Sequence, residues 1–123
     1  MSKKILIAED SLTMRSLIVS TIEAMGDYET VEAGNGFEAL RILPREKVDL
    51  IITDINMPDI NGLELISFIR NNENYRNTPL VIISTESSER DREKGMSLGA
   101  NAYLVKPFAP DQLQQLLRDY LES

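Results

Sequence analysis

Hydrophobic positions in this chain follow two alternating rhythms. Continuous apolar runs, ILIA ahead of Glu9, LIIT ahead of Asp54, LVII ahead of Ser84 and AYLV ahead of Lys106, have the character of strands buried on both faces of a parallel sheet. A further segment, Tyr28 to Ala33, alternates as a strand. Between these runs the spacing changes to that of a helix with one buried stripe. Met14, Leu17, Ile18, Thr21, Ile22 and Met25 form the first stripe, and Gly26 stops it. Asn35 caps a second helix carrying Phe37, Leu40 and Leu43, which Pro44 ends. Gly62 to Arg70 carries Leu63, Leu65, Ile66 and Ile69. Ser87 or Ser88 caps a fourth helix running toward Met96 and Leu98, with Gly99 past its end. Its segment SSERDREKG offers little apolar surface, so this helix is expected to be the most loosely held. Pro110 opens a last helix with Leu113, Leu116, Leu117, Tyr120 and Leu121 on one side.

The predicted sequence of elements is (βα)5, an α/β fold in which right-handed crossovers place helices on both faces of a parallel sheet. If the chain starts in mid-sheet and reverses once, the strand order is the flavodoxin-like, doubly wound 2-1-3-4-5, with the first and third strands at the switch point. Ligands in such sheets bind outside the carboxyl ends of the strands. Glu9, Asp10 and Asp54 then become neighbours, and Ser84 and Lys106 arrive from the two following strands. Residues 1–123 are expected to form one domain, a length that buries a core without disulfides.

Charge and composition narrow the function. The net charge of -7 argues against nucleic acid, whose phosphates require clustered Lys and Arg. The first apolar run is too short for a signal-peptide core or a membrane span, so a soluble cytoplasmic protein without membrane insertion is expected. Neither cysteine nor histidine occurs anywhere in the chain, which removes thiolate chemistry, a His general base and a Ser-His-Asp triad.

What remains is oxygen and amine chemistry. Three carboxylates crowded at a switch point repel one another unless a cation compensates, and an oxygen-only ligand set suits Mg²⁺ better than zinc. A carboxylate can also be a nucleophile toward phosphorus when positive charge neutralises the oxygens of the transferred group. Asp54 beside a metal, with the Lys106 ammonium and the Ser84 hydroxyl, supplies the needed parts.

Four segments, AEDSLTMR, TDINMPDINGLEL, IIST and GANAYLVKPF, occur in this order along essentially the whole chain. Together they resemble a response-regulator receiver domain, in particular the single-domain chemotaxis-type, CheY-like regulators of two-component systems. The resemblance implies that Asp54 is the phosphoacceptor and that Mg²⁺ is held by Asp10 directly, by Glu9 mainly through water, by Asp54, and by the backbone carbonyl of Asn56. It implies that Ser84 hydrogen-bonds one phosphoryl oxygen and that Lys106 contacts another, pairing with Asp54 when the site is empty. The Lys106-Pro107 peptide is cis in the family. Tyr103 matches the aromatic switch residue that turns inward when Ser84 moves, while Asn56 and Glu86 occupy positions that tune hydrolysis.

Two departures from the commonest family pattern stand out: Ser84 replaces threonine, and Thr85 sits where alanine is usual. Thr85 adds bulk and polarity beside the phosphate and could restrict access of donor or water. The implied function is a stand-alone receiver in a two-component phosphorelay. A sensor histidine kinase or histidine phosphotransfer protein donates a phosphoryl group from phosphohistidine to Asp54. A downstream protein then reads the altered face around the fourth helix, fifth strand and fifth helix. Such a switch assists its own modification, turns over no external substrate, and is a monomer or a weak phosphorylation-linked dimer. A phosphohydrolase of the haloacid-dehalogenase type also uses an aspartate nucleophile, but it needs a second acid two residues on, where this chain has Asn56, and a cap insertion that the chain lacks. An unphosphorylated docking surface is the third reading, against which Asp10, Asp54, Ser84 and Lys106 weigh.

Overall fold

The computed structural model describes residues 2–85 and 89–122. The Ser87 or Ser88 cap expected for the fourth helix, and Glu86, lie outside them. The elements follow the predicted alternation: β1 (Lys3–Ala8), α1 (Leu12–Glu23), β2 (Tyr28–Ala33), α2 (Gly36–Ile42), β3 (Leu50–Thr53), α3 (Gly62–Arg70), β4 (Leu80–Ser84), α4 (Glu89–Ser97), β5 (Ala102–Val105) and α5 (Pro110–Leu121). The sheet is parallel throughout, in the order β2-β1-β3-β4-β5. The flavodoxin-like (βα)5 architecture is therefore the fold of this chain.

Each strand divides its side chains between two cores, because successive residues point to opposite faces. Leu6, Ile51, Leu80 and Ile82 pack with Ala39, Leu65, Ile66 and Ile69 under α2 and α3. Ile5, Ile7, Leu50, Ile52, Val81 and Ile83 pack with Ile18, Ile22, Leu113 and Leu117 under α1 and α5. Full burial of one such side chain stabilises the fold by about 1.5–3 kcal/mol, which explains why strands with helices on both sides are apolar at every position.

Local capping chemistry sets the helix starts. Asn35 accepts the Glu38 N–H at 2.8 Å, as its side-chain type and position predict. Asn61 and Glu64 form a reciprocal capping box at α3. Gly99, with φ at +120°, terminates α4 in a conformation that costs a side-chain-bearing residue strain.

Two expected core positions face water instead. Leu17 is 44% exposed and Phe37 is 53% exposed. Leu17 lies one residue, hence about 100°, around the helix from the buried Ile18, at the rim of the contact stripe. Phe37 sits outside because Gly36 carries the α2 contact: a Cβ there would stand 2.8 Å from the Cβ of Ile60, so the backbone itself packs down and turns its neighbour outward. The strand-like stretch from Asp49 to Thr53 forms β3 only from Leu50 onward. Asp49 is occupied in binding back to β1, accepting the Lys4 N–H on its carboxylate at 2.8 Å. In α4 only Gly95 is buried, consistent with its sparse apolar surface.

Candidate functional site

Strand register brings the chemistry together. Ala8 pairs with Ala33 on one side and with Thr53 on the other, so Glu9 and Asp54 leave adjacent strands at one level. Ladder bonding continues one residue past the strands: Glu9 N–H donates to Ala33 O at 3.0 Å, Asp54 N–H to Ala8 O at 3.1 Å and Lys106 N–H to Ser84 O at 2.8 Å. The reactive residues thus stand on backbone fixed by the sheet.

Glu9, Asp54 and Ser84 are buried, while Asp10 is exposed. Carboxylate oxygens of Glu9, Asp10 and Asp54 all lie within 4.8 Å of one another. The Lys106 ammonium donates to Glu9 Oε1 at 2.6 Å and to Asp54 Oδ2 at 3.1 Å. The expected Lys106–Asp54 pair is present, but Glu9 is the nearer partner, which spacing along the chain gave no means to see. The other Glu9 oxygen accepts the Ser11 N–H at 3.0 Å. Asp54 Oδ1 accepts the N–H groups of Ile55 at 2.7 Å and Asn56 at 3.4 Å. One oxygen of Asp54 is therefore held by backbone and the other faces the lysine.

Electrostatics follow from this burial. Loss of water raises the Glu9 pKa above its ordinary value, and the Lys106 hydrogen bond and Ser11 N–H offset that only in part. Burial opposes the Lys106 charge as well, but hydrogen bonds to Glu9 and Asp54 outweigh it and raise the ammonium's pKa. Lys106 therefore stays protonated at neutral pH, a fixed positive charge inside a cluster of three acids.

The donor set suits a hard divalent ion. Three carboxylates gathered within 4.8 Å of one another form the kind of oxygen cluster that could hold Mg²⁺, with water completing the shell. All available donors at the cluster are oxygens, and no histidine or cysteine exists to favour zinc.

The remaining predicted residues are more widely placed. Ser84 ends β4, the strand beside β3. Thr85 and Asn56 are exposed. Tyr103 is half-buried on β5, with the Arg92 guanidinium 5.9 Å from its ring centroid. The Lys106-Pro107 peptide is cis.

Two further residues support the site, Gly62, whose sequence position suggests a backbone device rather than a ligand, and Arg15, to which the sequence assigns no role. Gly62 carries α3 down onto the phosphoacceptor candidate: a Cβ there would fall 1.9 Å from the Asp54 carbonyl oxygen. Its N–H donates to Ile55 O at 2.8 Å. Arg15 donates to the Glu9 carbonyl at 2.8 Å and to Glu32 Oε1 at 3.0 Å. The available signal was an arginine in the first turn of the helix that follows the acidic pair. A groove of about 710 Å³ opens at the amino ends of β3 and β4 between Pro44, Val48, Glu73 and Pro79, at the other edge of the sheet from these carboxylates.

The family model described as "Response regulator receiver domain" matches residues 5–118. The chain belongs to that family, whose response regulators serve two-component signalling, and its likeness is to the CheY type. It is 39% identical over 119 residues to the "Chemotaxis protein CheY homolog" of Campylobacter jejuni, covering 96% of this chain and 92% of that protein. The structure of the chemotaxis protein CheY4 of Vibrio cholerae superposes with a TM-score of 0.92 at 35% identity, covering 98% of this chain and 100% of that one. The receiver domain of a Pseudomonas aeruginosa sensor histidine kinase, solved with a magnesium ion coordinated in its active-site cleft, gives a TM-score of 0.91 at 29% identity, with 100% of both chains covered. Among the described residues no helix is long and apolar enough to cross a membrane.

Proposed function

We propose that this receiver accepts a phosphoryl group on Asp54 from the phosphohistidine of a sensor histidine kinase or histidine phosphotransfer protein. Magnesium, held by Asp10, Asp54, the Asn56 carbonyl and, through water, Glu9, supplies charge neutralisation for the phosphoryl oxygens. The observation that carries this reading is the Lys106 ammonium bound to both Glu9 and Asp54 at the mouth of an acidic cluster. A buried lysine at that point holds charge where transferred oxygens would develop it.

The exchange balances simply. Asp54 Oδ2 attacks phosphorus, the P–N bond to imidazole breaks, and its electron pair returns to the ring nitrogen. Backbone N–H groups of Ile55 and Asn56 hold Asp54 Oδ1 and so aim the second oxygen outward. Lys106 pairs with one phosphoryl oxygen and the Ser84 hydroxyl donates to another. Tyr103 then turns inward, and the face formed by α4, β5 and α5 changes its affinity for a downstream protein. Thr85, Asn56 and Glu86 set access to the phosphoryl group and its rate of loss. The protein assists its own phosphorylation and dephosphorylation and acts on no external substrate.

Incubation with acetyl phosphate and Mg²⁺ followed by intact-mass measurement tests the proposal. The expected result is a phosphate-sized gain that disappears in Asp54→Asn and with EDTA. The absence of any gain, with candidate kinases also tried, would favour a passive docking surface. Steady turnover of several phosphomonoesters would favour a hydrolase.

A further inference from the structure

We infer that Arg15 is a positioning residue for the cation site, fixing the peptide that joins Glu9 to Asp10. This inference rests on the magnesium reading above. Arg15 lies in α1, and its side chain is 19% exposed. Nη1 reaches the Glu9 carbonyl at 2.8 Å while Nε is anchored by Glu32, at the end of β2, at 3.0 Å. Gly34 leaves the space that the guanidinium needs: a Cβ there would already stand 3.3 Å from Nη1.

The consequence comes from peptide planarity. The Glu9 carbonyl and the Asp10 N–H belong to one rigid plane, so fixing the oxygen fixes the plane from which the Asp10 side chain departs. Glu9 is otherwise held at its N–H by Ala33, and its two carboxylate oxygens accept from Ser11 and Lys106. Arg15 supplies the remaining backbone restraint on this acidic turn. Asp10 is the exposed member of the cluster. A ligand oriented before the ion arrives loses less freedom on binding, and groups that orient metal ligands commonly govern affinity.

Arg15 also brings a positive charge to the peptide between two candidate ligands, and this makes the inference decidable by sign. Were its charge the main effect, Arg15→Lys would bind Mg²⁺ like the wild type and Arg15→Met would bind it more tightly, because a repelling cation is gone. Positioning by the fork predicts the reverse. Arg15 reaches Glu32 and Glu9 from two separate nitrogens of one rigid plane, whereas a lysine gathers its N–H groups on a single nitrogen at the end of a flexible stem, so Arg15→Lys should weaken Mg²⁺ binding by on the order of tenfold, and Arg15→Met should not tighten it.

Calorimetric titration of wild type, Arg15→Lys and Arg15→Met with magnesium chloride decides the matter, with melting temperatures in EDTA measured alongside. Weaker binding in Arg15→Lys, with Asp54 still phosphorylated at saturating Mg²⁺, supports the inference. Unchanged or tighter binding in Arg15→Lys overturns it, as does a lowered melting temperature in EDTA with unaltered Mg²⁺ affinity, which is the mark of a merely structural contact. If the wild type itself binds no Mg²⁺, the magnesium reading fails and this inference fails with it. If the wild type binds and both variants bind as tightly as it does, the Arg15 role alone fails.

Discussion

Lys106 donates to Glu9 at 2.6 Å across 97 positions of sequence, a shorter contact than the 3.1 Å bond it makes to Asp54. The lysine is thus shared between the acid assigned to metal binding and the one assigned to phosphoryl acceptance. With side chains 7% and 2% exposed, Lys106 and Glu9 form a buried pair whose disruption leaves a carboxylate desolvated and uncompensated.

Lys106→Met should accordingly destabilise the metal-free protein at pH 7 by about 3 kcal/mol, the usual scale for removing one partner of a buried pair. Magnesium should recover part of that loss, because it supplies the missing positive charge. Urea unfolding in EDTA and in magnesium chloride measures both effects. Equal stability of variant and wild type in EDTA would show that the pair contributes no net stabilisation.

Magnesium should raise the melting temperature of the wild type by mass action on the folded site, each tenfold excess over the dissociation constant adding about 1.4 kcal/mol. Asp10 is exposed, so Asp10→Ala should leave the metal-free protein largely intact and abolish the shift. A shift undiminished in the variant would remove Asp10 from the ligand set.

Gly62→Ala tests the close approach of α3 to Asp54, the proposed phosphoacceptor. A Cβ 1.9 Å from the Asp54 carbonyl oxygen cannot be accommodated without moving backbone. The expected cost is about 2–3 kcal/mol, against a gain of roughly 1 kcal/mol from helix propensity alone if no clash existed. Intact-mass phosphorylation should slow in the same variant, because Asp54 must shift.

Gly95→Ala offers a contrasting case. Its Cβ would meet the far end of a side chain, Ile82 Cδ1, at 2.5 Å. Ile82→Val removes that atom. The double variant should be more stable than the two single effects predict, by about 1 kcal/mol in a double-mutant cycle of chemical unfolding. Strict additivity would mean that α4 avoids Ile82 by moving as a body.

Alkaline stability should depend on Tyr28. Its hydroxyl donates to the Glu122 carboxylate, and burial together with that partner pushes its pKa from 10.0 up to about 12. A raised pKa means that the folded protein keeps the proton longer than the unfolded chain does. The stabilisation is therefore complete below pH 10 and is lost as pH rises toward about 12. The raised pKa of Lys106 adds a loss of the same sign above 10.5. Tyr28→Phe should flatten the decline of urea midpoints across this window, by an amount on the order of 2 kcal/mol. An identical decline in both proteins would rule out the Tyr28 contribution.

The element order, the start of α2 at Asn35, the start of α5 at Pro110 and the strand ends could be read directly because each depends on signals a few residues apart. Apolar runs identify strands, Asn35 caps α2, and Pro110 opens α5 through local backbone chemistry alone. Periodicity was less reliable for orientation. Leu17 and Phe37 have the right spacing yet face solvent, since a helical stripe specifies a set of residues and leaves the rotation of the helix to whatever it packs against.

Composition and pattern were thus enough to establish an α/β chain whose strands end in two acids, a third acid, a hydroxyl and an amine. They could not assign partners among those groups. That Lys106 sits nearer Glu9, that Arg15 pins the Glu9 carbonyl from Glu32, and that Gly62 presses on Asp54 all depend on strand register and helix placement. Local signals decay within a turn or two of chain, whereas these contacts are selected by the packing of elements far apart in sequence. The chemistry was written at the strand ends, and long-range packing chose its geometry.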